Sequence, residues 1–182
     1  MGAHTGGRVM SRIGAFPGTF NPPTVAHLAI AEAVVERHGL TRLDLVVSRV
    51  PLGKDVVERP TLDERIGVLD TIAVRLGWLG VVVSDDRLIA DLAAGYDVVV
   101  VGADKWAQIH DVAFYDGSAD ARDAAVARLP TVAVVPRDGF DAPPHLVLDV
   151  DASHRTVSST AARAGRHELM APEAAASGLW TP

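Results

Sequence analysis

The chain has 182 residues, of which 48% are hydrophobic and 22% charged, a composition typical of one folded globular domain. It contains no cysteine, which excludes a disulfide scaffold, a zinc ribbon, an iron–sulfur site and a thiol nucleophile. The net charge is −6, without the basic stripe of a nucleic-acid binder or a membrane-spanning apolar run, so we expect a cytoplasmic protein with no nucleic-acid or membrane partner.

Short apolar runs alternate along the chain with segments of helical periodicity. Residues 1–8 are predicted to be a flexible N-terminus and residues 9–182 a single domain. The predicted strands are Val9–Phe16, Leu43–Val50, Leu79–Ser84, Asp97–Gly102, Thr131–Pro136 and Leu146–Val150. The predicted helices are Thr24–His38, Leu62–Leu76, Arg87–Ala93, Ala119–Leu129, Ser159–Gly165 and a short last helix from Pro172.

Several strand candidates are unbroken β-branched runs, such as Val98–Val101. A run of this kind suits a strand that helices cover on both faces, as in a parallel sheet. The alternation of strands and helices therefore predicts an α/β fold, a single doubly wound, Rossmann-like domain whose mostly parallel sheet has five to six strands. Ligands of such folds bind at the carboxyl ends of the strands, where we look for motifs.

The first predicted strand is followed by the segment PGTFNPPTVAH. Gly18 allows close backbone approach, and the backbone N–H groups of Thr19 and Phe20 are candidate phosphate donors. Thr24 and His27 are three residues apart and share one face at the start of a helix, where anions are favoured. The alternative is a capped helix with an incidental surface histidine.

A serine-rich turn, VSSTAAR, opens the helix near the end of the chain. Ser158 is a good N-cap residue, and Ser159, Thr160 and the first-turn amides can cradle a phosphate. Arg163 lies one turn further and can fork onto phosphate oxygens. An ordinary capped helix is again the alternative.

Two further features follow predicted strands. The valine-rich strand runs into Gly102-Ala103-Asp104, and a carboxylate at a strand end can bind ribose hydroxyls, whereas the alternative is that Asp104 caps the following helix. Lys54, after the second strand, is either a phosphate contact or an ordinary surface lysine.

Taken in chain order, these segments resemble the nucleotidyltransferase superfamily, the cytidylyltransferase-like enzymes with an HxGH motif. Here the motif reads TVAH: His27 matches its second histidine, Thr24 replaces the first, and Ala26 replaces the glycine. VSSTAAR is similar to the superfamily's ISSTxxR-like motif at its serine, threonine and arginine. Two half-motifs in the right order are a stronger signal than either alone.

Within the superfamily the chain looks most like the nicotinate-mononucleotide adenylyltransferase branch. Its G-[AST]-D turn holds the adenosine of ATP, which makes Gly102 and Asp104 adenosine candidates. Arg137, in PRDGF, resembles the branch's RPG-like turn. An aromatic residue stacks on the nicotinate ring in that branch, so Trp106 is a candidate substrate contact, with core packing as the alternative. Arg65 also has a counterpart, for which a structural role is expected.

The resemblance implies transfer of an adenylyl group from ATP to a phosphomonoester, with nicotinate mononucleotide as the favoured acceptor, in NAD biosynthesis. Mg²⁺ is expected to arrive with ATP, without a dedicated metal site in the protein. The implied catalytic residues are His27, Thr24 and Arg163. The implied nucleotide-binding residues are Gly18, Thr19, Phe20, Gly102, Asp104, Ser158, Ser159 and Thr160, and the implied substrate-binding residues are Lys54, Trp106 and Arg137.

Other functions are compatible with the same residues. One is an adenylyl- or cytidylyltransferase for another phosphorylated acceptor, such as pantetheine phosphate. Another is a nucleotide-binding protein with weak activity, because Thr24 offers a neutral hydroxyl where histidine can be cationic. The sequence leaves open whether the chain forms a homo-oligomer.

Overall fold

The computed structural model describes residues 11–49 and 59–181. Over these ranges the chain forms one five-stranded sheet with the strand order β3-β2-β1-β4-β5, and each neighbouring pair is parallel. The strands are β1 (Ile13–Pro17), β2 (Arg42–Ser48), β3 (Leu79–Ser84), β4 (Val98–Gly102) and β5 (Thr131–Val135). β2 and β3 follow β1 on one side of the sheet, and β4 and β5 lie on its other side. This reversal of the strand order confirms the predicted doubly wound α/β fold.

Helices connect the strands, and in the described ranges two more α-helices follow the last strand. They are α1 (Val25–His38), α2 (Leu62–Leu76), α3 (Ile89–Leu92), α4 (Ala103–His110), α5 (Ala119–Ala127), α6 (Ser159–Arg163) and α7 (Pro172–Ser177). Short 3-10 turns lie at Val112–Tyr115, Ala152–His154 and His167–Leu169. No helix in the described ranges is both long and apolar enough to cross a membrane.

The two longest helices begin at residues that the sequence marks as caps. Thr24 and Thr61 are their N-caps, and each hydroxyl accepts a hydrogen bond from the backbone N–H three residues later. α1 ends at Gly39, whose left-handed φ of 59° suits a residue without a side chain. These local signals explain why both helices start and stop where they were predicted.

The sheet is buried on both faces. In β4, Val98 and Val100 belong to one apolar layer and Val99 and Val101 to the other, and none of the four is more than 3% exposed. α1, α2 and α7 cover the first layer, while α3 and α4 cover the second. The unbroken valine run is thus explained as a central strand between two helical layers.

Two sequence-based predictions about elements were wrong or incomplete. Leu146–Val150 is not a strand: it makes an isolated bridge between Val134 and Val147. In the described residues two hydrogen bonds join this segment to β5, from the Val134 N–H to Leu146 O and from the Leu148 N–H to Val134 O. The ladder ends there because the Leu146 N–H donates to Pro143 O within a turn and Pro136 has no N–H. α4 was not predicted, because Gly102 at its N-cap provides no side-chain cap.

Three predictions about the bounds of elements fall on undescribed residues. The flexible N-terminus at residues 1–8, the start of the first strand at Val9 and the end of the second at Val50 all lie outside the described ranges.

A buried carboxylate network lies at the amino-terminal side of the sheet. Asp44 in β2 is 6% exposed, and it accepts hydrogen bonds from the Tyr96 hydroxyl at 3.0 Å and from Arg42 Nε at 2.6 Å. A Cβ atom at Gly80 in β3 would lie 2.0 Å from Asp44 Oδ1, so glycine leaves room for the carboxylate. The network ties β2 to the segment that leads into β4.

We expect Tyr96→Phe to lower the free energy of unfolding by about 1–3 kcal/mol, because Asp44 stays buried and loses a donor. Burial, and then the nearby Asp44 carboxylate, raise the pKa of Tyr96 from 10.0 to about 12. The folded state therefore keeps the phenol proton to a higher pH than the unfolded state, and the protein loses stability as the pH rises from 10.0 through about 12. Urea unfolding across this range should show a shallower alkaline loss for the variant; equal slopes would contradict the assignment.

Candidate functional site

The candidate site lies where the strand order reverses, between β1 and β4. These strands are neighbours, with Gly14 opposite Val98 and Ala15 opposite Val99. Beyond its carboxyl end β1 continues into a loop, residues 18–23, that leads to α1, while β4 leads directly into α4. The connections diverge at this point, which opens the crevice where doubly wound folds bind ligands. Two of the three predicted motifs therefore meet at one edge of the sheet.

The third motif, the serine-rich turn, is hydrogen-bonded to the β1–α1 loop. Three successive carbonyl oxygens of the loop accept hydrogen bonds from the C-terminal part of the chain. The donors are Arg163 Nη1 to Asn21, Ser159 Oγ to Pro22 at 2.8 Å and the backbone N–H of Ala171 to Pro23 at 2.9 Å. Segments more than 130 residues apart in sequence thus lie side by side.

Thr24 and His27 form a reciprocal cap at the start of α1. The His27 backbone N–H donates to Thr24 Oγ1 at 3.3 Å, and the Thr24 backbone N–H donates to His27 Nδ1 at 2.9 Å. Because Nδ1 accepts an N–H, the neutral imidazole carries its proton on Nε2, which is then a hydrogen-bond donor. Thr24 itself is 0% exposed, and its Oγ1 lies 2.9 Å from the same Nδ1 atom.

The His27 ring is held within an aromatic cluster. Its centroid lies 5.0 Å from that of Phe20 and 6.0 Å from that of Phe16, and the two phenyl rings are nearly perpendicular at 5.6 Å. Phe20 is 1% exposed and has a φ of 45°, a left-handed conformation that is costly for a bulky residue. Burial of the Phe20 ring thus offsets the cost of its left-handed backbone, and the ring limits the orientations that the His27 imidazole can adopt.

Gly18 is the third partner of the Phe20 ring. A Cβ atom at Gly18 would lie 2.8 Å from Phe20 Cζ, and the Gly18 backbone N–H donates to Val46 O in β2 at 3.0 Å. The sequence predicted that a ligand would approach Gly18 closely. In the structure the ring of Phe20 occupies the space beside Gly18. No local pattern gave this contact.

Arg65 in α2 holds the loop from another side. It is 5% exposed, and its Nη1 donates to Thr19 O at 2.6 Å. Its buried Nε has no hydrogen-bond partner in the described part of the chain, and burial lowers its pKa. The expected structural role of Arg65 is therefore specific: a buried cation next to the β1–α1 loop.

The predicted side chains of Asp104 and Arg137 both lie at the GAD turn, which is Gly102-Ala103-Asp104 at the end of β4. A Cβ atom at Gly102 would lie 2.4 Å from Asp104 Oδ1 and 3.6 Å from Arg137 Nε, so both side chains border the end of β4. Asp104 lies in the first turn of α4, and the N-cap of this helix is Gly102. The alternative in which Asp104 caps the helix is therefore wrong.

The remaining predicted residues are placed as follows. Ser158 caps α6 by accepting the Ala161 N–H at 3.1 Å, and Thr160 Oγ1 lies 3.5 Å from Arg163 Nη2. Trp106 is half-buried against the second apolar layer, with its ring centroid 4.3 Å from that of His110. Lys54 lies outside the described residues.

These motifs fall within a known family. The model of the cytidylyltransferase-like family matches residues 15–165. The chain belongs to the cytidylyltransferase-like family. The matched range runs from β1 through α6, so it includes all three motifs.

Individual members of the family are similar over different lengths. A probable nicotinate-nucleotide adenylyltransferase of Listeria monocytogenes (serotype 4a, strain HCC23) is 33% identical over 58 residues, which are 32% of this chain and 31% of that protein. The nicotinic acid mononucleotide adenylyltransferase of Plasmodium falciparum complexed with APC has 13% identity and a TM-score of 0.66, covering 93% of this chain and 94% of that chain. Its complex with NaAD has 14% identity and a TM-score of 0.68, covering 94% and 98%. At this identity the structural likeness shows the shared fold.

We expect Gly18→Ala to destabilise the protein by about 1–3 kcal/mol, the usual scale of overpacking. The new Cβ atom would be 2.8 Å from Phe20 Cζ, and Phe16 and His27 confine that ring. Gly67→Ala is the matched control, because Gly67 lies in α2 with nothing within 4 Å of an added Cβ, and it should stabilise by about 0.5–1 kcal/mol. Urea unfolding of both variants checks this, and a neutral Gly18→Ala would show that the ring contact is not tight.

Proposed function

We propose that the chain transfers the adenylyl group of ATP to a phosphomonoester acceptor, with nicotinate mononucleotide as the favoured acceptor, and releases pyrophosphate. The reaction is a step of NAD biosynthesis. The proposal is supported above all by the hydrogen bonds that fasten the serine-rich turn onto the β1–α1 loop at the switch point. The names of the bacterial and Plasmodium relatives support the acceptor, and we expect the reaction to take place in the cytoplasm.

The charges at this edge suit an anionic ligand. The chain carries a net charge of −6, yet the elements around the crevice contribute the guanidinium groups of Arg65, Arg137 and Arg163 and the Nε2–H donor of His27, against the one carboxylate of Asp104 at the end of β4. A triphosphate needs such donors near the positions where charge develops. Local charge, rather than net charge, therefore supports the proposal.

The chemistry needs positioning more than proton transfer. A phosphate monoester has its second pKa near ~6, so at neutral pH it is already a mostly dianionic nucleophile. It can attack the α-phosphorus of ATP in line, without a general base. The protein then has to align the two phosphates and neutralise the charge of the transition state.

The proposed roles follow from the donors. His27 Nε2 donates to oxygens between the α- and β-phosphates, while the backbone amides of Thr19 and Phe20 face the α-phosphate. Gly18 borders the nucleotide with its backbone, because its own N–H already donates to Val46 O. Arg163 holds the β- and γ-phosphates together with the first turn of α6. Thr24 is a positioning residue, because it is buried and acts through His27.

The serine-rich turn and the GAD turn complete the nucleotide site. Ser158 caps α6, and the Ser159 hydroxyl donates a hydrogen bond to Pro22 O. The groups of the turn that face the phosphates are then its backbone N–H groups and Thr160. Gly102 and Asp104 are proposed to take the adenosine, with the carboxylate accepting ribose hydroxyls.

The acceptor side is proposed to involve Arg137, Trp106 and Lys54. Arg137 lies beside the end of β4, where a guanidinium can bind the acceptor phosphate. For Trp106 the proposal rests on the resemblance, since its ring packs against His110. For Lys54 it rests on the position of this residue in the sequence after β2.

Magnesium is proposed to enter with the triphosphate. The described residues contain no group of three or more His, Asp or Glu side chains that could hold a metal ion. Mg²⁺ usually keeps several waters and binds through substrate phosphates with one or two carboxylates. An ion carried by ATP, which neutralises the phosphate charge when bound, fits such a site.

The packing of Trp106 favours testing a second acceptor class. Its ring lies 4.3 Å from the His110 ring, so stacking on nicotinate would have to use the part of the indole that His110 does not cover. A pyrophosphate-release assay should therefore combine ATP or CTP with nicotinate mononucleotide, nicotinamide mononucleotide and pantetheine phosphate. Turnover with ATP and nicotinate mononucleotide supports the proposal. Preference for another pair identifies a different transferase, and ATP binding without turnover identifies a nucleotide-binding protein.

We expect His27→Ala to slow adenylyl transfer by roughly 10²–10³-fold, the scale of losing one donor that stabilises transition-state charge. His27→Glu separates this role from the helix cap, because a glutamate at this position completes the same reciprocal cap, as Glu64 does with Thr61. It should keep the helix cap, so that its stability loss is limited to the ring contacts with Phe16 and Phe20, and still lose activity. Single-turnover rates and melting curves check both variants, and an active His27→Glu enzyme would show that Nε2 is not the donor.

We expect Arg163→Ala to weaken ATP binding by about 10–100-fold, the range for hydrogen bonds to charged groups. AMP has no β- or γ-phosphate, so calorimetry should show nearly unchanged AMP binding. Arg166→Ala is the control, since Arg166 is exposed and pairs with Glu168 at 3.0 Å. Equal losses for ATP and AMP would mean that Arg163 only holds Asn21 O.

A further inference from the structure

The C-terminal segment reaches the β1–α1 loop through one buried hydrogen bond that the proposed mechanism does not use. The indole Nε1 of Trp180 donates to Asn21 Oδ1 at 2.6 Å, across 159 residues of sequence. Trp180 is 8% exposed and Asn21 is 6% exposed. A buried amide oxygen needs a partner, and the indole N–H supplies it.

Asn21 is the point at which this bond can influence the phosphate site. Its side chain accepts from Trp180, while its backbone oxygen accepts from Arg163. The preceding residue, Phe20, has the strained left-handed backbone and packs on His27. A shift of Asn21 would therefore move both the arginine and the aromatic cluster.

We propose that Trp180 is a positioning residue for nucleotide binding. Its N–H fixes Asn21, and Asn21 in turn fixes the loop amides and the guanidinium of Arg163. This inference rests on the proposed function, because it assigns Trp180 to the same phosphate site. Trp180 acts through Asn21 and contacts no substrate.

The tail is held independently of this bond, so the bond can be removed alone. Glu173 in α7 pairs with Arg75 of α2, the Ala171 N–H donates to Pro23 O at 2.9 Å, and the Trp180 ring belongs to the larger apolar layer. Trp180→Phe keeps an aromatic ring in that layer and deletes the N–H. The tail should therefore stay docked in the variant.

Steady-state kinetics with varied ATP test the proposal at a temperature well below the melting point. Trp180→Phe should lower kcat/KM for ATP by about tenfold, the effect of one lost hydrogen bond at a buried acceptor. Trp78→Phe is the matched control, since Trp78 precedes β3 at the opposite edge of the sheet, and it should stay within about twofold. A lower melting temperature with unchanged kcat/KM would show a purely structural contact and overturn the proposal.

Asn21→Ala removes the bond from its other end and serves if Trp180→Phe does not fold. The two substitutions together should cost no more than the larger single loss, because both delete one interaction. Multiplied losses would overturn the shared pathway.

Calorimetry separates this inference from the proposed function. If the wild-type chain binds ATP but transfers nothing, the transferase proposal fails, and weaker ATP binding by Trp180→Phe than by Trp78→Phe still supports the positioning role. Equal ATP binding by the two variants overturns that role, and a wild-type chain that binds no ATP overturns both.

Discussion

The candidate site depends on hydrogen bonds that the carbonyl oxygens of the β1–α1 loop accept from the C-terminal part of the chain. Pro22 and Pro23 have no N–H group, and both are buried together with Asn21, so the three carbonyl oxygens of this stretch need donors from elsewhere. All three donors come from the C-terminal part of the chain. The loop and the serine-rich turn are therefore joined by hydrogen bonds between two distant parts of the chain. Because closure entropy grows slowly with length, the large sequence separation costs little extra.

The start of α1 is a reciprocal cap that is built with a histidine. α2 begins with the usual reciprocal cap, in which the Glu64 carboxylate accepts the Thr61 N–H at 2.6 Å. α1 has the same geometry with His27 in the position of the glutamate. An imidazole accepts through Nδ1 and still carries an N–H on its other nitrogen, whereas a carboxylate would repel a phosphate. Histidine is thus a residue that can both begin this helix and donate to an anion.

The parts that could be predicted from the sequence are those fixed by local chemistry. The valine run of β4 and the extents of α1 and α2 follow from apolar patterning, and the order of the motifs comes from the resemblance to the nucleotidyltransferase superfamily. α4 has no side-chain cap to mark its start. A sixth strand does not form because the Leu146 N–H donates to Pro143 O within a turn and Pro136 has no N–H for the ladder. The contacts of Arg65 with Thr19 O and of Trp180 with Asn21 join residues far apart in sequence, so no periodicity or spacing could reveal them.

The two edges of the sheet carry opposite kinds of buried charge. At the amino-terminal edge the Asp44 carboxylate is neutralised by Arg42 and hydrogen-bonded by Tyr96, so its charge is satisfied within the fold. At the carboxyl edge Arg65 is equally buried, and in the described ranges it pairs with no carboxylate and gives one hydrogen bond to a carbonyl oxygen. A buried cation without an anion is costly. An incoming phosphate near the loop would lower that cost. The satisfied carboxylate and the buried cation therefore lie at opposite ends of the sheet.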